Sequence, residues 1–406
     1  MRPLPQAQRE VLAGVSVLES VTVGLDRARG AVLAEDVTAG NDVPPFANSA
    51  MDGFAVIGAD VATAPVDLRI VEDVAAGHVA TAAVRPGTAI RIMTGAPLPE
   101  GADTVVRVED TRAVDSVVTI LVPTDVGTAV RPAGGDLRSG ALVFGAGTEL
   151  TPLHLGVLAT VGVAAPRVVR RPVVGLMSTG DEVVPPDTEA LEPGKIRDAN
   201  RPLLRGLLAD VGLEVRDYGI IGDDPDLLRS SLYGAASECD AIVTSGGVSM
   251  GDYDLVKQVL TELGTVELWK VAMQPAKPFA FGSIDGRPLF GLPGNPVSVV
   301  VAFENFVRPA LLKMQGSEKV FRPLTQGVWG EDVQTDPAKT VFLRVARRAG
   351  SVFLTGGQES NVLSATAAAE ALAVVEAGVG TMRAGDVVPL LEIRLPAART
   401  QKEVLG

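Results

Sequence analysis

Histidine and cysteine are almost missing from this chain, which has two His (His78 and His154) and one Cys (Cys239) in 406 residues. No disulfide framework can close within it, and no Cys/His zinc site can be assembled. Aromatic residues are only 4%, so the cores must be built mostly from Val, Leu and Ala within the 47% apolar fraction. Basic residues are also in short supply: 36 against 49 acidic, a net charge of −13. A field of that sign repels nucleic acid and anionic lipid. It repels an anionic small substrate too, unless backbone N–H groups, Lys/Arg or a divalent cation receive it locally. No apolar run reaches transmembrane length. The opening MRPLPQAQREVLAG lacks the continuous apolar core of a secretion signal. A cytoplasmic location, with no nucleic-acid or membrane partner, is the expectation.

What is plentiful is Gly (44) and Pro (28), spread among apolar segments as in a fold with many tight turns. The length suggests about two to four domains. Residues 171–317 alternate strand and helix patterns. PVVGLMS, LEVRDYGII, DAIVTS and VELWKVAM read as strands, and FAFGSIDGRPLFGL as a hairpin turning at Asp285-Gly286. NRPLLRGLLADVG reads as a helix with Asn200 as N-cap and Gly212 as stop. A second helix begins at Asp224-Pro225, a third covers YDLVKQVLTELG, and a long one runs from about Asn295 to Met314. This alternation predicts a central, doubly wound, mainly parallel α/β domain. Residues 41–136 predict an inserted β-rich domain, and 318–406 a small C-terminal β-barrel or sandwich. Residues 1–40 and 137–170 are left as a linking, dimerisation domain, with LHLGVLATVG a short helix. No internal repeat has a fixed period.

Several turns carry chemistry. Thr244 to Asp254, TSGGVSMGDYD, follows a buried strand and opens a helix. Its glycines let backbone approach a ligand, and free N–H groups at a helix start favour an anion. Ser245 and Ser249 suit phosphate oxygens, while Asp252 and Asp254 suit magnesium. The Gly-Lys-Ser/Thr of a Walker A loop is absent. Gly291 to Ser298, GLPGNPVS, is a second strand-to-helix turn with Asn295 placed to cap and Pro296 in the first turn. STGDE at 178–182 follows the first strand of the domain. The N-terminal segments around Asp52-Gly53, Met93 to Pro99 and Arg131 to Asp136 read, by themselves, as Pro/Gly turns. Among the cations Lys270, Lys277, Arg287 and Arg344, Lys277 lies best placed beside the second turn.

In this order, NSAMDGFAV, IMTGAPLPEGAD, STGDEV, GKIRDANRPLL, TSGGVSMGDYD, KVAMQPAKPFAFG and GLPGNPVSVVVAFENF resemble segments of the molybdopterin molybdenumtransferase family, which includes the E domain of gephyrin. The resemblance covers nearly the whole chain. It implies an enzyme that binds adenylylated molybdopterin and molybdate as substrates, hydrolyses the pyrophosphate bond, releases AMP and leaves molybdenum on the dithiolene, with Mg2+ as cofactor. It implies catalytic roles for Asp52, Thr94, Glu182 and Asp136. Thr179, Gly180, Asp224, Ser245, Gly246, Gly247, Ser249, Gly251 and Lys277 would bind the nucleotide-pterin. Pro293, Gly294, Asn295, Pro296, Ser298, Arg344 and Ser360 would hold molybdate, and Asp252, Asp254 and Glu182 the metal. It also implies a homodimer in which Asp52 and Thr94 reach the partner's α/β domain, and a transient contact with a molybdopterin adenylyltransferase.

Two departures stand out: many relatives carry Lys where this chain has Gln274, and Gly where it has Ala276. The segment GGQESNVLSATAAAEAL, with Ser360 and Ser364, follows the family loosely. The alternatives are an adenylyltransferase, a tungstate insertase and a non-catalytic dimeric scaffold. About 170 residues ahead of the α/β unit argue against the first. The lack of a fused partner module or long linker argues against the last. Nothing in the sequence separates molybdate from tungstate.

Overall fold

The computed structural model describes residues 1–246, 259 and 262–394. They divide into two compact units. One comprises residues 22–29 and 33–167, the other residues 1–21, 30–32 and those from 168 onward.

The first unit contains the expected β-rich domain. Its sheet orders the strands Thr104–Arg107, Gly53–Val56, Thr88–Ile92, Val66–Val74, Val117–Ile120 and Thr111–Val114. Side-chain alternation gives each face its own core: Phe54, Val56 and Leu68 on one side, Ala55, Val74 and Ile90 on the other. The short helix Pro152–Thr160 starts in a capping box. Thr151 accepts from the His154 N–H, and the His154 ring bonds back to the Thr151 N–H. One of the two histidines is thus spent on a helix end.

The second unit contains the α/β sheet, ordered Glu214–Ile221, Val173–Thr179, Ala241–Ser245, Arg287–Leu292, Pro278–Ile284 and Glu267–Lys270. The first four strands run parallel and the last two pair antiparallel. Strands buried on both faces need near-continuous apolar runs. Accordingly Val174, Leu176, Val243 and Phe290 enter one core, and Met177, Ile242 and Leu289 the other. Leu204 and Leu208 of helix Asn200–Asp210 are fully buried on the first face. Each such side chain contributes about 1.5–3 kcal/mol. Helix Pro225–Glu238 covers the second face with Leu228 and Leu232. The hairpin turns at Asp285 (φ 46) and Gly286 (φ 74), the positive-φ pair of a type I′ turn.

Four features differ from the sequence expectations. Residues 1–21 belong to the second unit, because Leu4, Ala7 and Val11 of helix Leu4–Ala13 pack into the first-face core. VELWKVAM splits into two strands, of which Met273–Gln274 leaves the α/β sheet to pair with Thr340–Arg348. The long C-terminal helix of the domain has a π turn at Phe303–Val307 between Pro296–Ala302 and Arg308–Met314. Finally, Asn200 is not a cap. The helix begins on it, and Asp198 accepts from the Arg201 N–H at 3.0 Å.

The C-terminal sheet orders Met273–Gln274, Thr340–Arg348, Ala371–Val375, Val387–Glu392 and Leu324–Val328, with Ser351–Leu354 paired to Thr340–Arg348. Trp329, just past the last strand, bridges Val352 and closes the sheet on itself. Most of YDLVKQVLTELG lies outside the described residues.

Candidate functional site

Two clefts adjoin in the second unit and share Asn295. The first, of about 440 Å3, lies at the carboxyl ends of the parallel strands. Ligands of open α/β sheets bind there because the loops diverge and helix starts face inward. Ser178 and Thr179 come from one strand end and Ser245 and Gly246 from the next, facing Gly294, Asn295 and Pro296. The hydroxyls of Ser178 and Ser245 are buried and have no hydrogen-bond partner among the described residues. Such groups point to a ligand that supplies the missing bond. Gly246 (φ +93) packs against the Thr179 carbonyl, where a Cβ could not fit. Exposed Glu182 also lines this cleft, and its carboxylate lies over Gly180 (φ +127). Arg197 contributes the cation, steadied by its bond to the Thr188 carbonyl at 2.6 Å.

The second cleft, of about 290 Å3, is lined by Gln274, Lys277, Pro293, Asn295, Ser298, Lys339, Glu359 and Ser360, among others. Asn295 sits at the N-cap position of its helix, yet its side chain does not cap. Its Nδ2 donates to Ser360 Oγ at 2.8 Å instead. The Val297 N–H donates to the Ser360 carbonyl at 3.3 Å. Asn200 reaches the same loop, donating from Nδ2 to the Gly294 carbonyl at 2.6 Å. Both Asn side chains therefore tie the 293–298 turn to its neighbours. The substituted Ala276 takes φ +72, a left-handed conformation that favours glycine.

Several expected site residues fall elsewhere. Lys277 lines the second cleft, not the first. Gly294 and Pro296 line the first, while Pro293 and Ser298 line the second. Arg344 lines neither. It is buried, and its Nη2 donates to the Gly357 and Glu359 carbonyls at 2.9 and 3.1 Å. Those two bonds tie it to the loop that carries Ser360, while its buried Nε has no partner among the described residues. Asp224 also lines neither cleft. Its Oδ1 caps helix Pro225–Glu238, accepting from the Asp226 and Leu227 N–H groups at 2.8 and 3.1 Å. Gly247, Ser249, Gly251, Asp252 and Asp254 lie outside the described residues. Among the described residues no group of three or more His, Cys, Asp or Glu is placed to hold a metal.

In the first unit, Asp52 and Thr94 are joined directly. Thr94 bonds from its N–H and its hydroxyl hold the exposed Asp52 carboxyl below the usual carboxylate range. Asp136 is exposed, and its N–H donates to the Val43 carbonyl at 2.9 Å beside the antiparallel bridge of Val43 to Leu137.

Sequence reasoning gave Ser178 only as the first residue of the 178–182 turn, and it missed Arg197 and Lys339 as cleft residues. Ser178 had a signal, a small polar residue ending a buried parallel strand. Arg197 and Lys339 had none, since lone cations outside a motif are common.

Three family models match the chain: the MoeA N-terminal region (domains I and II) over residues 2–162, the probable molybdopterin binding domain over 175–313, and the MoeA C-terminal region (domain IV) over 326–393. A molybdopterin molybdenumtransferase 2 of Mycobacterium tuberculosis is 37% identical over 94% of this chain and 98% of its own. A molybdopterin molybdenumtransferase of Staphylococcus aureus is 32% identical over 98% and 97%. A crystal structure of the molybdopterin biosynthesis moeA protein from Pyrococcus horikoshii OT3 superposes with a TM-score of 0.82 at 28% identity, covering 96% of this chain and 99% of that one.

Proposed function

This chain belongs to the molybdopterin molybdenumtransferase family, and from that premise we propose that it loads molybdate onto adenylylated molybdopterin, hydrolysing the pyrophosphate bond and releasing AMP. The observation that carries the proposal is the pair of clefts meeting at Asn295. The larger has two buried hydroxyls wanting partners, which suits phosphate oxygens of a nucleotide-pterin. The smaller carries lysines and hydroxyls, which suits a tetrahedral oxyanion.

In this reading Ser178, Thr179, Ser245 and Gly246 orient the pyrophosphate, and Arg197 offsets its charge. Ser298, Ser360 and Lys277 hold molybdate, and Asn295 fixes the wall between the two substrates. With one Cys and two His in the chain, the protein is poorly equipped to ligate molybdenum itself, so the metal passes to the pterin sulfurs. Magnesium commonly binds through one or two carboxylates plus substrate phosphates. The exposed Glu182 carboxylate beside a phosphate site fits that pattern. Glu182 would hold the ion, which when bound supplies charge neutralisation at the phosphoanhydride. Asp52, set by Thr94, would orient the attacking water from the partner subunit of a homodimer acting in the cytoplasm.

The test is to incubate the protein with adenylylated molybdopterin and magnesium, with molybdate, with tungstate or with neither. Oxyanion-dependent AMP release is expected. Release indifferent to the oxyanion would refute the insertion chemistry. A chain that sediments as a monomer at micromolar concentration would refute the shared site.

A further inference from the structure

The second cleft poses a charge problem. Molybdate is a dianion approaching a chain of net charge −13. Among the described residues, the ionisable side chains lining the cleft are Lys277, Lys339 and Glu359. Lys277 and Glu359 cancel, and Lys339 is itself paired with Asp336, so what the cleft can offer a dianion is directed ammonium donors and not a net positive charge. Gln274 lines the same wall with a neutral amide, which can donate a hydrogen bond but brings no charge.

Lys339 is built into place. Its Nζ pairs with Asp336 Oδ2 at 2.5 Å, and its side chain is 21% exposed. Its N–H donates to the Asp336 carbonyl at 3.2 Å. The next residue, Thr340, donates its N–H to the Ala272 carbonyl at 3.0 Å and stands opposite Met273 in the parallel pairing. The turn is thereby docked against the 273–278 segment that forms the other wall of the cleft. An ammonium has three donors, so the bond to Asp336 leaves others for a ligand.

We infer that Lys339 is the second cation of this cleft and donates to the bound tetrahedral dianion opposite Lys277. The inference rests on the reading of the cleft as the molybdate site. It adds a binding residue from the C-terminal domain, so that both walls contribute an ammonium donor.

The test is calorimetric titration of sodium molybdate into the wild type, Lys339→Gln, Lys339→Arg and Lys319→Gln. The last removes the same charge from an exposed position outside the cleft. Lys339→Gln should weaken molybdate binding roughly tenfold to a hundredfold, as loss of a charge-assisted hydrogen bond does. Lys339→Arg should recover most of it, and Lys319→Gln should match the wild type. In the AMP-release assay, Lys339→Gln should raise the KM for molybdate and leave that for the nucleotide-pterin unchanged. Wild type that binds no molybdate would overturn the assignment of the cleft. Wild type that binds, with Lys339→Gln indistinguishable from Lys319→Gln, would overturn the role of Lys339 alone.

Discussion

Both donors of Thr94, its backbone N–H and its hydroxyl, converge on one oxygen of Asp52, Oδ1, each at 2.7 Å. The second oxygen receives no bond from Thr94, so the carboxylate is oriented with one face committed and the other available. Thr94→Val deletes the hydroxyl and keeps the N–H. It should raise the Asp52 pKa toward the ordinary range, read by carboxyl-carbon NMR titration. Asp52→Ala should leave the fold intact, since the group is exposed, and abolish molybdate-dependent AMP release. Full activity in that variant would remove Asp52 from the mechanism.

Asp224 provides a second separation of structure from chemistry. Its carboxylate caps helix Pro225–Glu238 through two N–H bonds. Asp224→Ala should cost about 0.5–2 kcal/mol, measured by urea unfolding. Asp224→Ser and Asp224→Asn retain a capping oxygen and should recover most of that stability. Activity that follows stability across the three variants marks a cap. Activity lost in all three, with stability restored in Ser and Asn, marks a contact with substrate.

These residues also show what the sequence could convey. The Asp285-Gly286 turn and the Asp224 cap were legible because their causes are local: a φ requirement and orphan N–H groups within three residues. Asn200 and Asn295 obey the same local rule on paper, yet neither side chain caps. Partners brought close only by folding, the Gly294 carbonyl and Ser360 Oγ, compete for them and win. The loop contacts of Arg344 were illegible for a related reason. Nothing in TVFLRVAR distinguishes a buried strand arginine from one facing a ligand until the 356–360 loop folds over it. The α/β order was legible from period and length. The departure of Met273–Gln274 into another sheet was not, because a two-residue strand has no periodicity.

The unpartnered hydroxyls of the first cleft give a prediction of unusual sign. Most buried polar deletions destabilise, because a partner is stranded. Ser178 and Ser245 have no partner to strand among the described residues, so Ser178→Ala and Ser245→Ala should leave stability unchanged or slightly raised. Each should weaken binding of adenylylated molybdopterin roughly tenfold to a hundredfold, the cost of a hydrogen bond to a charged group. Calorimetry on the two variants, beside their thermal midpoints, checks both halves. A destabilised variant with unchanged affinity would make these hydroxyls part of the core.

Asp240 connects pH to the integrity of the sheet. Its oxygens accept from Arg170 Nη1 and Nη2 at 2.7 and 2.8 Å and from the Val173 N–H at 2.8 Å, at the head of a central strand. Burial pushes the Asp240 pKa up, but the bonds from Arg170 and Val173 outweigh it and hold the carboxyl below the usual range. A depressed folded pKa means stabilisation that is full above the unfolded value of about 3.9 and is lost as pH falls through the folded one. At neutral pH, Asp240→Asn should therefore destabilise the protein. Removing one partner of a buried pair costs about 3–5 kcal/mol, and the part-exposed Arg170, which keeps Glu19, should hold the loss to about 2–3 kcal/mol. The gap between wild type and variant should narrow progressively as pH falls below the unfolded value of about 3.9. Urea midpoints at pH 7 and at successively lower pH measure both, and a gap that does not narrow at all as the solution is acidified would assign the effect to packing at Val173 in place of the ion pair.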